Sequence, residues 1–295
     1  MKKLVIDAGG SALKYALMTE EYEIIEKGKI INTFEGKDGF VRAVKELSDR
    51  YGTETDGIAI SYCGELNTDT GEIHCPGSYT YLVSVNLKEI LEKETGKTVW
   101  IEKDAACAAL AEVHKGALQA YQDAVCLTLG SGLGCAVIIG QNIRHGMHDM
   151  AGLTMVQPVE GAFMRKVMTD KLIRAWNRII LRQKEPEGLN GYRFFEKVEA
   201  GNPFAIHRMR KFLGSVARFI QQMQCILDVE AFAIGGGVSA QPRLIEELQK
   251  EVDKIWRGAM MRATHVVKPE IVPCQYKNEA NLIGALYFYE RKERK

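Results

Sequence analysis

The sequence predicts an α/β protein of two domains that repeat one order of elements. Two glycine-tipped hairpins support this prediction, LVIDAGGSALKYALM at residues 4–18 and AVCLTLGSGLGCAVIIG at residues 124–140. Each is an apolar run, a glycine-rich turn and a second apolar run, which is typical of two strands joined by a tight turn. After each hairpin, strand and helix patterns alternate with short connections, as expected for α/β architecture.

The segments after the first hairpin fit this alternation. Their patterns predict helix 39–52, strand 56–64, helix 86–96, strand 97–104 and helix 104–116. Asn86 is a plausible N-cap of the second of these helices, and Gly116 stops the alanine-rich third one. The first half therefore has the strands and helices expected of an α/β domain.

The second half follows a similar plan. Apolar residues at a period of 3.6 predict one long helix over 204–228, and strand 231–237 and helix 241–256 come next. The last residues, NEANLIGALYFYERKERK, predict a terminal helix. We therefore expect domains at 1–120 and 121–275, with 276–295 packing back on the first domain.

Composition excludes several classes of protein. The 295 residues carry 39 basic and 38 acidic side chains, without the basic excess typical of proteins that bind nucleic acid or anionic membranes. No apolar run approaches the roughly 18 residues of a membrane span, and MKKLVIDAGG lacks the apolar core of a signal peptide. The seven cysteines show no CxxC spacing, so we expect reduced thiols in a cytoplasmic protein.

The glycine-rich turns indicate what the protein binds. Glycine permits positive φ and has no side chain, so backbone N–H groups at such a turn can approach an anion. One such turn is weak evidence, because most glycine turns have no ligand. Two of them, each opening one half of the chain, suggest a duplicated domain with two facing phosphate loops.

Five motifs in order resemble the ROK family of sugar kinases and repressors. They are DAGGSALK, IEKDAACAALAE, LTLGSGLGCAVIIGQNIRHG, LDVEAFAIGGGVS and NEANLIGAL. The resemblance covers nearly the whole chain and implies a two-domain actin-like ATPase (ribonuclease H-like) fold with duplicated βββαβα-type halves. It also implies an ATP- and Mg²⁺-dependent kinase that acts on a hydroxyl group of a sugar or sugar derivative.

The resemblance assigns nucleotide-binding roles to the glycine-rich segments. The first phosphate loop would use Gly9, Gly10 and Ser11, and Asp7 would orient Mg²⁺ directly or through water. Asp7 could instead stabilise the turn, and Lys14 could either reach phosphate or be a solvated strand residue. The other implied ligands of ATP are Gly130, Ser131, Gly132 and Gly134 at the phosphates, and Gly235, Gly236 and Gly237 at the ribose and base.

Asp104 corresponds to the family's general base, which takes a proton from the sugar hydroxyl. An aspartate at this place is also a favoured helix N-cap, and both roles can hold together. Lys103 replaces the family's asparagine. It would favour the ionised form of Asp104, accept an anionic group of the substrate, or face solvent. With Gly64 and Asp104, it completes the implied substrate-binding set.

The sequence departs from the family in the sugar-binding segment AGLTMVQPVEG. Leu153 stands where many members have a glutamate and Val156 where they have a histidine, and the cysteine-rich zinc motif is absent. We therefore expect no structural zinc and an atypical substrate pocket. An alternative is a sugar or nucleotide sensor that has lost turnover. An actin-like acyl or pantothenate kinase explains KDAACAALAE and AIGGGVS less well.

Other features are interpreted as structural. His145 and His148 are three apart, but the intervening glycine and the lack of a third ligand favour loop histidines over a metal site. Glu65, Asn67 and Asp69 indicate a polar turn. The first phosphate loop begins at residue 7, so we expect no DNA-binding domain ahead of it. ROK kinases are often dimers, so the resemblance allows a homodimer.

Overall fold

The computed structural model describes residues 1–129, 133–154, 191–237, 239 and 241–294. The chain forms two compact units. The first unit contains Met1–Gln119, Ile143–Ala151 and Asn278–Lys295, and the second contains Ala120–Asn142 and Gly152–Lys277. Residues 143–151, which the sequence-based division places in the second domain, thus belong to the first unit. The division at 120 and 275 stays a prediction.

The first unit is built on a five-stranded sheet in the order β3-β2-β1-β4-β7. Its strands are β1 (Lys2–Ala8), β2 (Ala12–Met18), β3 (Ile24–Ile31), β4 (Thr55–Tyr62) and β7 (Thr98–Lys103). Strands β1 to β3 are antiparallel, and β4 and β7 run parallel to β1. Both faces of β1 and β4 are buried, which explains their continuous apolar runs.

Four helices belong to this unit. They are α1 (Gly36–Tyr51), α2 (Leu87–Thr95), α3 (Asp104–Lys115) and α8 (Ala280–Glu293). The predicted N-cap of α2 is confirmed, because Oδ1 of Asn86 accepts a hydrogen bond from the Glu89 N–H at 3.0 Å. A short hairpin, β5 (Glu65–Leu66) and β6 (Ile73–Cys75), follows β4. It positions the polar residues of that segment.

The terminal helix α8 packs on α3 and on strands β1, β4 and β7. The approach to α3 is close, because a Cβ at Gly284 would overlap the backbone carbonyl oxygen of Cys107. Glycine is therefore required there for space. Helix α3, which begins at Asp104, thus packs against the fourteen-residue helix α8.

The second unit repeats the arrangement with a sheet in the order β10-β9-β8-β11-β12. Its strands are β8 (Ala124–Leu129), β9 (Leu133–Ile139), β10 (Asn142–Ile143), β11 (Ala231–Gly235) and β12 (Glu270–Pro273). Strand β9 is antiparallel to β8, while β11 and β12 are parallel to it. The described helices are α4 (Gly191–Glu199), α5 (Pro203–Leu227), α6 (Pro242–Trp256) and α7 (Ala259–Thr264).

The predicted α/β fold class is confirmed. In both sheets the first strand of a hairpin, β1 or β8, pairs antiparallel with the second strand of that hairpin. On its other side it is followed by two parallel strands, which is the shared order that a duplicated domain requires. Apolar residues of α5 and α6 cover one face of the second sheet. In the described part of the chain, no helix is long and apolar enough to cross a membrane.

Candidate active site

The predicted first phosphate loop is the turn between β1 and β2. The N–H of Gly9 donates to the carbonyls of Asp7 at 3.0 Å and of Ala12 at 3.2 Å. The turn itself thus uses the N–H of Gly9 in this conformation, and the predicted role of Gly9 at the phosphates stays a prediction. Gly10 and Ser11 are exposed at the tip.

Left-handed backbone is not what requires the glycines of this turn, and at Gly10 a side chain would meet Ser78. Neither Gly9 nor Gly10 has positive φ. A Cβ at Gly10, however, would lie 2.6 Å from the Ser78 hydroxyl oxygen. Two side chains hold the loop in place, since the Tyr79 hydroxyl donates to the Gly9 carbonyl at 2.9 Å and the Asn32 amide donates to the Gly10 carbonyl at 3.0 Å.

Asp7 lies at the end of β1 and is 3% exposed. Its Oδ1 accepts from the Ser61 hydroxyl at 3.2 Å and from the Asn281 amide at 3.0 Å, and Oδ2 lies 3.0 Å from Nζ of Lys14. These donors come from β4, α8 and β2. The carboxylate thus binds side chains of three other elements. This arrangement favours a carboxylate that is oriented to bind a ligand over one that only stabilises its own turn. Asn281 was not singled out from the sequence.

Lys14 faces Asp7 directly in the register of β1 and β2. Its side chain is 49% exposed, and the ion pair with Asp7 is its contact on the protein side. It is therefore not a solvated strand residue alone.

Asp104 is the first residue of α3, and the N-cap position belongs to Lys103. Oδ1 of Asp104 accepts from the Ala105 N–H at 2.7 Å, which fixes the carboxylate at the end of β7. Burial, together with the charges of Asp7 and Glu65, raises the pKa of Asp104 from 3.8 to about 6. Such a carboxylate is suited to accept a proton near neutral pH.

Lys103 is buried, with a side chain that is 8% exposed. Its Nζ donates to the carbonyls of Asp149 at 2.9 Å and of Ala151 at 3.3 Å, and lies 3.3 Å from Oε2 of Glu65. The expectation of a solvent-facing lysine is wrong. Lys103 does lower the pKa of Asp104, as expected from its charge, but burial outweighs this effect.

A second contact holds residues 143–151 near the end of β7. Glu102 is fully buried, and its Oε2 lies 2.6 Å from Nε2 of His145. Its Oε1 accepts from the N–H of Lys103 at 2.7 Å. His145 is thus half-buried and paired, contrary to the interpretation as a surface histidine, whereas His148 is exposed. The pattern RHGMHD contains no signal for this long-range pair.

Gly64 follows β4, beside the β7 end that carries Asp104. A Cβ at Gly64 would overlap the Cys75 carbonyl oxygen and lie 3.2 Å from the Gly77 nitrogen. The residue therefore has to be glycine for the chain to pass between β4 and the β5–β6 hairpin. This packing places Glu65, the next residue, next to Lys103.

The second unit contains the other predicted nucleotide ligands. Gly130, Ser131 and Gly132 lie outside the described residues, and Gly134 lies on β9 opposite Thr128. In the turn after β11, which is predicted to contact the ribose and base, Gly236 has φ +90°, and a Cβ there would lie 2.6 Å from the Leu129 nitrogen. Gly235 ends β11, and Gly237 is exposed.

Within the described residues, no group of three or more His, Cys, Asp or Glu side chains could hold a metal ion by itself. A nucleotide site can also hold Mg²⁺ through fewer protein side chains, with phosphate oxygens and water as the other ligands. Mg²⁺ at nucleotide sites binds in this way, through one or two carboxylates and several other oxygens.

The paired sheets, the glycine turn beside Asp7 and the carboxylate at the start of α3 define a protein of the actin-like ATPase class. More narrowly, the chain belongs to the ROK family, whose model matches residues 3–155 and 164–292.

Relatives of this chain include sugar kinases. It is 30% identical to a β-glucoside kinase of Listeria innocua over 99% of both chains. Among solved structures, it resembles the Lmo2764 protein of Listeria monocytogenes, which is proposed to be an N-acetylmannosamine kinase (TM-score 0.84, 27% identity, 99% and 100% of the two chains covered). It also resembles a ROK family protein of Streptococcus pneumoniae in complex with sucrose (TM-score 0.83, 25% identity, 100% and 99% covered).

Proposed function

We propose that this protein is an ATP-dependent kinase that phosphorylates a hydroxyl group of a sugar or of a sugar derivative such as a β-glucoside. The observation that carries the proposal is the carboxylate of Asp104, which lies at the end of a parallel strand with a pKa raised to about 6. The relationship to a β-glucoside kinase over the full length of both chains supports the substrate class.

In this proposal Asp104 is the general base. The sugar oxygen bonds to the γ-phosphorus of ATP as the bond from that phosphorus to the β-phosphate oxygen breaks, and ADP leaves. Asp104 receives the proton that the hydroxyl loses. Phosphoryl transfer depends mainly on positioning and charge neutralisation. The bond from the Ala105 N–H to Oδ1 keeps the carboxylate oriented for this step.

The residues around Asp7 fit a magnesium site. The carboxylate has about four acceptor positions, and three donors occupy it, so one position is left for the ion or for a water bound to it. Bound Mg²⁺ would neutralise charge on the phosphates. Asp7 would bind the ion directly or through water. Asn281 and Ser61 would keep the Asp7 carboxylate oriented toward the ion.

The phosphate groups would contact the exposed tip of the first loop and Lys14. Gly10 and Ser11 are the donors of this tip in our proposal, because Gly9 uses its N–H within the turn. In the second unit, Gly130, Ser131, Gly132 and Gly134 would bind phosphates. Gly235, Gly236 and Gly237 would approach the ribose and base, and their lack of side chains supports this role.

The alternative of a sensor without turnover is less well supported. A site without turnover does not need a buried Asp7 that is bound by three donors, nor the raised pKa of the Asp104 carboxylate. We therefore favour turnover. A cytoplasmic location, a homodimer, and the lack of structural zinc and of nucleic-acid binding stay predictions.

The first test is ADP release with MgATP over a panel of hexoses, amino sugars, N-acetylated sugars, acidic sugars and β-glucosides. Turnover with one class that is lost in Asp104→Asn is the expected result. Asp38→Asn is the matched control, because Asp38 is an exposed acid in the first turn of α1 in the same unit. Full activity in Asp104→Asn would refute the assigned role.

A further inference from the structure

Glu65 is a buried carboxylate that the proposed chemistry does not use. Its side chain is 17% exposed, and burial raises its pKa. Its Oε2 is shielded from solvent and accepts no hydrogen bond from the described residues. The neighbouring Nζ of Lys103, at 3.3 Å, compensates the charge without the geometry of a hydrogen bond. A buried carboxylate oxygen without a donor is costly, and a ligand that supplies one removes that cost.

The position of Glu65 places it beside the proposed base. Strands β4 and β7 are adjacent and parallel, with Tyr62 opposite Lys103 in their register. Glu65 follows Tyr62 by three residues and Asp104 follows Lys103 by one, so both carboxylates lie beyond the carboxyl ends of neighbouring strands. Ligands of open α/β sheets bind at this edge. The charge of Glu65 is also felt by Asp104, whose pKa it raises.

We propose that Glu65 binds a hydroxyl group of the sugar, next to the hydroxyl that Asp104 deprotonates. This inference rests on the proposed kinase function and identifies Glu65 as a residue that recognises the sugar. It also accounts for the departure at Leu153, which has no hydrogen-bonding side chain where many ROK members have a glutamate. Glu65 supplies a carboxylate from the β5–β6 hairpin instead.

The same geometry restricts the substrate to neutral sugars and glycosides. The ammonium of Lys103 has three donors, and three protein oxygens lie within 3.3 Å of it. Two of these contacts are hydrogen bonds to carbonyls, and the carboxylate of Glu65 balances the charge of the ammonium, so Lys103 is not an unpaired charge that a substrate anion would neutralise. An acidic sugar would bring its carboxylate beside Glu65 and Asp104, and like charges repel. The expectation that Lys103 accepts an anionic group is thus replaced by a structural role, in which Lys103 holds Glu65.

The test measures sugar kinetics of Glu65→Gln at saturating MgATP. We expect kcat/KM for the best neutral sugar to fall about 10- to 100-fold, as for loss of a hydrogen bond to a charged group, with KM for ATP unchanged. Glu72→Gln is the matched control, because Glu72 is exposed on the same hairpin segment. Wild-type kinetics in Glu65→Gln would overturn the inference.

Monodeoxy analogues of the sugar separate direct recognition from a general disturbance. With the wild type, removal of the bound hydroxyl from the sugar should lower kcat/KM by about as much as the Glu65→Gln substitution does. With the Glu65→Gln variant, removal of the same hydroxyl should lower kcat/KM only a little further. Equal penalties for every analogue in both proteins would overturn the inference. If Glu65→Gln does not fold, Glu65→Asp replaces it, and the shortened carboxylate should raise KM for the sugar.

Failure of the proposed function has a different signature. If the wild type turns over no sugar, calorimetric binding of neutral sugars still tests Glu65. Binding to the wild type that is lost in Glu65→Gln supports the inference and refutes only the kinase. Equal binding by both proteins overturns the inference, whatever the outcome of the kinase assay.

Discussion

The pH dependence of turnover tests the environment of Asp104 most directly. A general base acts as the ionised form, so kcat/KM should fall as the pH drops through the pKa of the free enzyme. With that pKa at about 6, about nine tenths of Asp104 is ionised at pH 7 and about one tenth at pH 5, a roughly tenfold loss. At the ordinary value of 3.8, the loss over this interval would be only about 6%.

The assay is kcat/KM for the sugar from pH 4.5 to 8 at saturating MgATP, with direct ATP binding measured over the same range as a control. Glu65→Gln should shift the acid limb to lower pH, because the charge of Glu65 raises the pKa of Asp104. Glu72→Gln should not shift it. A rate that stays constant from pH 7 to pH 5 would refute the reasoning, as would an unchanged acid limb in Asp104→Asn.

The remaining predictions concern stability and ATP binding. Gly284→Ala should destabilise the protein by about 1–3 kcal/mol or more in urea unfolding, because its Cβ overlaps the Cys107 carbonyl oxygen. Gly214→Ala should instead stabilise by up to about 1 kcal/mol, since its Cβ meets only an ordinary contact at 3.6 Å; destabilisation of both alike would contradict the packing argument. Asn281→Ala removes a donor from Asp7, so KM for MgATP should rise about tenfold while KM for the sugar stays constant. An unchanged KM for MgATP would exclude a role for Asn281 in holding Asp7.

Local patterns were sufficient to predict the framework. The glycine turn between β1 and β2, the helix that starts at Asp104 and the Asn86 cap all depend on neighbours within a few residues. Strand β3 was not predicted, since its side chains alternate between exposed and half-buried positions at the sheet edge. Edge strands carry the polar residues that weaken a strand pattern. Strand β12 has four residues, too few for a periodic signal.

The candidate site was only partly predictable, because its contacts are distant in sequence. Asn281 and Asp7 are 274 residues apart, and Glu102 and His145 are 43 apart. No spacing rule connects such residues. Lys103 shows the same limit, since its charge suggests solvent or substrate, whereas the fold buries it against Glu65 and two carbonyls.

The chain order of the first unit has a consequence for its synthesis. The unit begins at Met1, yet its helix α8 follows the entire second unit in the chain. Domains normally fold in turn as the ribosome releases them, but here α3, which begins with Asp104, has no packing partner in α8 until the second unit has been made. Asn281 likewise reaches Asp7 only then. A nascent chain can therefore complete its second sheet while its first unit still lacks α8, and a premature stop before residue 280 removes that helix and Asn281 without removing Asp104.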